Sequence, residues 1–227
     1  MAEFARRHPA APITFEVHRV PFFLEPGYLE KPADFTEPHN TRMVRKFGSM
    51  DRFEQVKKRH GLIPRGAAVG RNESCGFTQP QLDKRVQSST LNSHRLVLYV
   101  AKTYGLGRSE ALYAALNRRH FMEAGVLNDP NMLKAALGDV SVGPGSGLEE
   151  AQAFLESDRG TSQVLEMYNV VTEQMGIHSI PTLIVDGKYM ISGAATTGKV
   201  LDVLERVLSE GPSGTNGVFG DIELDGA

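Results

Sequence analysis

The segment GIHSIPTLIVDGKYMISG, residues Gly176–Gly193, constrains the fold more than any other part of the chain. Pro181 precedes the apolar, β-prone run Thr182–Val185, and proline is tolerated at the first position of a strand because the ladder does not need its N–H there. The pair Asp186–Gly187 favours a type I′ turn into a second strand, Lys188–Ser192. The segment therefore predicts an antiparallel hairpin that begins at a proline.

Helices are predicted on both sides of this hairpin. The run TSQVLEMYNVVTEQM indicates a helix from about Thr161 to Met175, with Gly176 at its C-terminal cap. After the hairpin, Thr197 is a candidate N-cap for a helix that would cover one side of a small sheet. The glycine-rich polar tail, residues 212–227, is predicted to be disordered.

The rest of the chain indicates one strand and then a helical section. Ile13, Phe15 and Val17 alternate with polar residues, which predicts a strand over residues 13–17. From about residue 40 to residue 160 the apolar spacing is helical. We therefore expect an α/β protein in which residues 1–39 and 161–211 form one domain and residues 40–160 form an all-helical insertion.

Composition excludes several classes of function. The net charge is -2, from 25 Lys and Arg against 27 Asp and Glu, and no basic face stands out for nucleic acid. The seven histidines contain no i, i+4 pair, so no metal site is expected. No apolar run approaches the roughly 20 residues that span a bilayer, nor is there a signal-peptide pattern. We expect a cytoplasmic protein without membrane or nucleic-acid partners.

Two local patterns offer alternative sites. GAATTGK, residues 193–199, satisfies G-x-x-x-x-G-K, but Val200 stands where a phosphate-binding loop needs Ser or Thr, so an ordinary strand-to-helix turn is favoured. Cys75 is the one cysteine, which excludes an internal disulfide. Arg71, close by in sequence, would favour a reactive thiolate by lowering the pKa of the thiol. A lone cysteine is, however, more often a small, inert core residue.

Several stretches resemble the DsbA-like thioredoxin-fold family, in the branch of FrnE-type oxidoreductases and 2-hydroxychromene-2-carboxylate isomerases. GIHSIPTL at 176–183 resembles the family's cis-proline motif, and VDGKYMISGA at 185–194 the hairpin that follows it. STLNSHRL at 89–96 is similar to a stretch of the FrnE-type helical insertion, and VPFFLEP at 20–26 to the segment after the second strand. The resemblance implies an α/β fold, a thioredoxin-like sheet with an all-helical insertion.

The same alignment leaves the family's first strand and active-site helix without a counterpart, because residues 13–17 match the second strand. That helix carries Cys-x-x-Cys or a serine in the family, and one cysteine cannot cycle between dithiol and disulfide. An unpaired central strand position would cost about 1–3 kcal/mol for each buried backbone group. Three alternatives remain: the first strand moves to the centre, another chain supplies a strand in a homodimer or heteromer, or the working protein has further N-terminal residues.

The resemblance implies a binding edge at Ser179, Ile180 and Pro181. A cis Ile180–Pro181 bond would turn the Ile180 backbone outward, where it can pair with an extended peptide or glutathione. His178 would line the same surface. The insertion would supply an opposing wall through Asn92 and His94, although His94 is more simply a buried polar residue between helices.

The function implied is that of the thiol oxidoreductase and glutathione-dependent isomerase lineage, which in some members acts in secondary metabolism. The ligand would be a small molecule, a thiol or a peptide. No cofactor is evident from the residues, and glutathione follows only from the resemblance. No catalytic residue is identified. The alternatives are a non-catalytic thioredoxin-like binding or scaffold protein, and a truncated gene model of an active FrnE-type oxidoreductase.

Overall fold

The computed structural model describes residues 1–9, 14–59, 84–140 and 147–211. Ile13, Arg71, Cys75 and the predicted disordered tail lie outside these ranges. The chain divides into two compact units, one formed by Met1–Phe22 with Ser162–Ala227 and the other by Phe23–Thr161. Residues 23–39, which were expected to belong to the first domain, are therefore part of the second unit.

The helices and strands of the described ranges follow in chain order: α1 (Ala2–Arg7), β1 (Thr36–Pro38), α2 (His39–Phe47), α3 (Met50–Arg59), β2 (Val86–Ser88), α4 (Leu91–Tyr104), α5 (Leu106–Met122), α6 (Pro130–Asp139), α7 (Gly147–Glu156), α8 (Thr161–Asn169), β3 (Thr182–Val185), β4 (Tyr189–Ser192) and α9 (Thr197–Glu210). A short 3₁₀ helix at Pro26–Glu30 precedes β1. None of the helices within the described residues has both the length and the apolar character needed to cross a bilayer.

The second unit is a helical assembly centred on α4. Leu96 and Val100 of α4 are fully buried, and Tyr99 stacks on Phe154 of α7 with ring centroids 4.4 Å apart. Arg95, only 3% exposed, donates hydrogen bonds to backbone carbonyls that follow α7. The apolar face of α4 and one buried arginine together hold this helix against α7.

The second unit also contains a small sheet that the sequence pattern did not predict. β1 and β2 pair antiparallel, with Glu37 opposite Gln87 and Pro38 opposite Val86. Each strand has only three residues, and a proline within a run argues against a strand. The pairing extends to the first residue of α2, because the His39 N–H donates to the Arg85 carbonyl at 3.1 Å.

The first unit carries the predicted hairpin. β3 and β4 pair antiparallel from Thr182 opposite Ser192 to Val185 opposite Tyr189. Asp186 and Gly187 have φ of 54° and 64°, and positive φ at both central residues is what a type I′ turn requires. The prediction of an antiparallel hairpin here is confirmed.

The helices that flank the hairpin differ from the prediction in detail. α8 ends at Asn169 and continues as a π-helical turn over Val170–Gln174, after which Gly176 has φ of 63°. The N-cap of α9 is Thr196, whose hydroxyl accepts a hydrogen bond from the Lys199 N–H at 3.2 Å. The predicted cap, Thr197, is instead the first residue of that helix.

The predicted strand over residues 13–17 is wrong for the part that the structure describes, since residues 14–20 contain no strand. The alternation of burial is nevertheless present: Phe15 and Val17 are half-buried, whereas Thr14 and Glu16 are exposed. Alternation reports that one side of a segment packs, but a strand also needs a hydrogen-bonded neighbour. Among the described residues, the two sheets are the pairs β1–β2 and β3–β4, and neither includes this segment.

Candidate functional site

Ser179, Ile180 and Pro181 form the approach to β3, which we call the Ser179–Pro181 edge. All three residues are exposed, with Ile180 at 48%. The Ile180–Pro181 peptide bond is cis. The Thr182 hydroxyl donates to the Ser179 carbonyl at 2.8 Å, and the Gly193 N–H donates to the Pro181 carbonyl at 2.9 Å. These two hydrogen bonds fix the backbone of the edge on either side of Ile180.

The backbone of Ile180 itself has unused hydrogen-bonding capacity. Within the described ranges, neither its N–H nor its carbonyl forms a hydrogen bond to the protein. In the same ranges β3 pairs only with β4, so its outer edge is open. An open strand edge is a template for another extended chain. The edge can therefore donate and accept hydrogen bonds with an extended ligand.

Exposed apolar side chains accompany the open edge on both faces of the hairpin. Leu183 is 44% exposed although its cross-strand partner Ile191 is only 2% exposed. Met190, which is 51% exposed, pairs with Ile184 and so projects from the opposite face. A ligand at the Ser179–Pro181 edge would thus meet apolar contact surface beside the backbone groups.

No catalytic group is assigned at this edge. Its polar side chains are His178 and Ser179, both exposed, and Thr182, whose hydroxyl is held by the Ser179 carbonyl. Cys75 lies outside the described residues. Within the described ranges, no three His, Cys, Asp or Glu side chains are grouped closely enough to hold a metal ion. The geometry offers a binding surface, and the identity of any nucleophile stays open.

Asn92 and His94, predicted as an opposing wall, both belong to the second unit. The Asn92 side-chain carbonyl accepts a hydrogen bond from Arg95 Nη1 at 2.8 Å, and Asn92 lines a cavity of about 160 Å³. His94 is half-buried, and its ring packs edge-to-face against Phe23, with the two ring centroids 5.3 Å apart. Both residues thus make packing and hydrogen-bond contacts inside the helical unit, and their role as a wall stays a prediction.

A charged network beside β1 was missed by the sequence analysis. The Tyr28 hydroxyl donates to Glu37, whose carboxylate also accepts from Arg45 Nη2 at 2.9 Å. Glu25 accepts from Arg42 Nε at 2.6 Å and from Arg45 at 3.1 Å. These partners are 8 to 20 residues apart in sequence, so no helical or strand period links them.

The network changes the pKa values of its members. The hydrogen bonds from Arg45, with a further one from Tyr28, hold the pKa of Glu37 below its ordinary value in spite of partial burial. Burial and the adjacent Glu37 carboxylate raise the pKa of Tyr28 to about 12. At neutral pH, Glu37 is therefore ionised and Tyr28 remains a hydroxyl donor.

The turn from β4 to α9 contains the GAATTGK segment. Thr196 caps α9 there, so this part of the segment acts in helix initiation, as expected for a strand-to-helix turn.

Comparison with known proteins supports the fold. No protein-family model matches the chain, and no curated protein matches it. Among solved structures, it is similar to a probable DsbA oxidoreductase from Streptomyces coelicolor, with a TM-score of 0.65 and 24% sequence identity over 92% of this chain and 83% of that one. The chain thus has an α/β, DsbA-like thioredoxin fold with a helical insertion.

Proposed function

We propose that this protein binds thiol peptides or glutathione along the Ser179–Pro181 edge, and that it belongs to the thiol oxidoreductase and glutathione-dependent isomerase lineage. One observation carries the proposal: the Ile180 N–H and carbonyl have no protein partner in the described ranges and lie at the open edge of β3. The solved structure that it resembles is named a probable DsbA oxidoreductase, which supports the same lineage.

The proposed contact is β-augmentation. Two backbone hydrogen bonds to Ile180 would contribute about 1–3 kcal/mol together, since each is worth about 0.5–1.5 kcal/mol net. This is less than the free energy of a micromolar complex, about 8 kcal/mol. Contacts with Ile180 and Leu183, which are 48% and 44% exposed, must therefore supply much of the affinity.

Titration by amide NMR tests the binding. We expect reduced glutathione or a short extended cysteine peptide to shift the Ile180 amide resonance. A peptide of the same sequence with a methyl group on its pairing amide nitrogen should bind about tenfold more weakly, because it loses a hydrogen bond and clashes with the edge. Equal affinity of the two peptides, or resonance shifts confined to the helical unit, would reject the proposed edge.

Catalysis is a separate question from binding. The rival function, a non-catalytic binding or scaffold protein, is favoured by the single cysteine of the sequence. Insulin reduction and glutathione conjugation should be measured for the full chain and for Cys75→Ser. Activity lost in the variant would reject the scaffold. If neither protein is active, a thiol enzyme that uses this chain alone is rejected.

We further propose that the protein acts in small-molecule secondary metabolism and that it is located in the cytoplasm. A further alternative is that the sequence belongs to a longer oxidoreductase. Mapping the 5′ end of the transcript tests this alternative, because an upstream segment with a strand and Cys-x-x-Cys or a serine motif would restore the family's redox site.

A further inference from the structure

His120 joins α5 to the residue before β2 through two hydrogen bonds. Its Nδ1 lies 2.8 Å from the Gly125 carbonyl, which can only accept, so Nδ1 carries the proton. Its Nε2 lies 3.4 Å from Arg85 Nη1, which can only donate, so Nε2 is an acceptor. His120 is 7% exposed, and the Arg85 guanidinium also lies 4.7 Å from the centroid of the Phe121 ring. The contact between His120 and Arg85 therefore requires a neutral imidazole in one tautomer.

Protonation of His120 would break this contact. A proton on Nε2 would turn this atom from an acceptor into a donor that faces the Arg85 Nη1 donor at 3.4 Å. The hydrogen bond would be lost, and two positive charges would lie together in a buried place, where their repulsion is stronger than in water. Arg85 cannot relieve the repulsion by losing a proton, because a guanidinium stays charged in proteins. Acid therefore acts against the contact between His120 and Arg85.

The groups that face His120 from other elements also oppose its protonation. Burial is the largest cause that lowers the pKa of His120, and the charges of Arg85 and of His39, the first residue of α2, act in the same direction. Arg85 Nε and Gln87 Nε2 are buried donors without a partner in the described ranges, so neither can accept a hydrogen bond from an added proton. The third such atom, His39 Nδ1, belongs to the imidazole whose charge adds to the repulsion.

α6 packs against α5 but does not supply a compensating carboxylate. The side chain that α6 places against Gly125 is Met132, since a Cβ on Gly125 would lie 3.0 Å from Met132 Cγ. Asp139, the acidic residue of α6, is exposed and accepts a hydrogen bond from Arg119 Nε at 2.8 Å. The side chains at this contact therefore favour a neutral His120 from every described element that packs there.

We infer that His120 is an acid-sensitive switch that releases the residue before β2 from α5 when its imidazole is protonated. The released backbone carries a further contact, because the Arg85 carbonyl accepts from the His39 N–H at 3.1 Å. β1 and β2 have three residues each, so few other hydrogen bonds hold this sheet. The opening should therefore reach the sheet and the beginning of α2. The switch does not depend on the proposed function, whose edge belongs to the other unit.

The pH range of the switch follows from the direction of the pKa shift. The pKa of His120 is lower in the folded state than its ordinary value of 6.5. The closed contact therefore contributes its full stability above about pH 6.5, and this stability is lost as pH falls through the folded-state pKa. Glu37 titrates in a separate, lower range, because the ordinary pKa of a glutamate is about 4.3.

Two NMR measurements on the full chain test the switch. Titration of the imidazole resonances gives the pKa of His120, which should lie below 6.5. Amide hydrogen exchange, corrected for the pH dependence of the intrinsic rate, gives the opening constant of the His39 N–H. From about pH 7.5 to about pH 5, this constant should rise by the factor that the measured lowering of the pKa requires, within about twofold. The Val100 amide, in the buried centre of α4, should show no such rise.

The variants separate the switch from other effects of acid. His120→Gln keeps a donor for the Gly125 carbonyl and an acceptor for Arg85 but does not titrate, so the pH dependence of the His39 opening constant should disappear. Arg85→Gln removes the like charge and should raise the pKa of His120 towards its ordinary value, which covers the case of an unfolded His120→Gln. The matched control, His18→Gln, removes an exposed histidine and should keep the wild-type pH dependence within about twofold.

Three results would overturn the inference. The first is a His120 pKa at or above 6.5 in the folded chain. The second is a pH dependence of the His39 opening constant that is unchanged in His120→Gln. The third is an equal rise for the Val100 amide, which would assign the acid effect to the unit as a whole and not to this contact.

Discussion

Arg95 offers the sharpest test of how the helical unit holds together. It is 3% exposed and donates to the Arg159 carbonyl at 2.8 Å and to the Ser157 carbonyl at 2.5 Å. It also donates to the Phe154 carbonyl at 3.2 Å and lies over the Phe154 ring. These contacts join α4 to the backbone of α7 and of the residues that follow it, which are about 60 residues away in sequence. Arg95→Met keeps an unbranched apolar stem, although a shorter one, and removes every one of these donors.

The expected loss of stability follows from the carbonyls that lose a hydrogen-bond donor in Arg95→Met. A buried unsatisfied group costs about 1–3 kcal/mol. The Phe154 carbonyl keeps the Ser157 hydroxyl as a donor at 2.7 Å, so the carbonyls of Ser157 and Arg159 decide the result. Both residues are half-buried, and water reaches part of this backbone. We therefore expect Arg95→Met to lower the free energy of unfolding by about 3 kcal/mol, near the lower half of the range for two groups.

Urea unfolding followed by far-ultraviolet circular dichroism measures this loss. For a chain of this size it corresponds to a fall in Tm of about 6–12 °C. Arg108→Met is the control, because Arg108 is exposed and makes one bond to a carbonyl; its effect should stay within about 0.5 kcal/mol. An Arg95→Met loss below about 1 kcal/mol, or one no larger than that of the control, would refute the view that these carbonyls depend on Arg95.

Three further outcomes are expected from urea unfolding. Thr196→Ala should lower the free energy of unfolding by about 1 kcal/mol, because it removes the N-cap of α9, whereas Thr197→Ala should lower it much less. A larger loss for Thr197→Ala would show that Thr197 is the N-cap. Ile191→Ala should cost about 3 kcal/mol because that side chain is 2% exposed, whereas Leu183→Ala, at 44% exposed, should cost under about 1 kcal/mol; similar losses would contradict the exposure of Leu183. The pKa of Glu37 is lowered in the folded state, so its contribution is present above the unfolded pKa of about 4.3 and is lost as pH falls through the folded value. From about pH 5 to about pH 3, the free energy of unfolding should fall less steeply for Glu37→Gln than for the wild-type chain. An unchanged slope would contradict this assignment.

Local signals predicted the parts of the fold that they govern. The Asp186–Gly187 pair specified the turn, because positive φ at two successive residues is rare outside such pairs. Helical spacing indicated the helical section over residues 40–160, which contains α4 and α5. The predicted strand over residues 13–17 is wrong for its described part, residues 14–17, because alternation describes which side chains pack and does not supply a neighbouring strand.

Contacts between distant residues could not be predicted from the sequence. Glu37 and Gln87 face each other across strands of only three residues, and no period marks such short segments. Arg85 and His120 are 35 residues apart, on a strand approach and a helix respectively. Each residue type is ordinary by itself, and only the fold brings this guanidinium against the His120 imidazole.

Water limits what the proposed edge can gain from a ligand. The Ile180 backbone lies in an exposed segment, so water can satisfy it without ligand, and its openness carries little energetic cost. A peptide at Ile180 must therefore first displace this water, and each new backbone hydrogen bond adds only its net contribution of about 0.5–1.5 kcal/mol. The apolar contacts of the peptide with Ile180 and Leu183 should consequently decide its affinity, and these contacts should give a negative heat-capacity change in calorimetry.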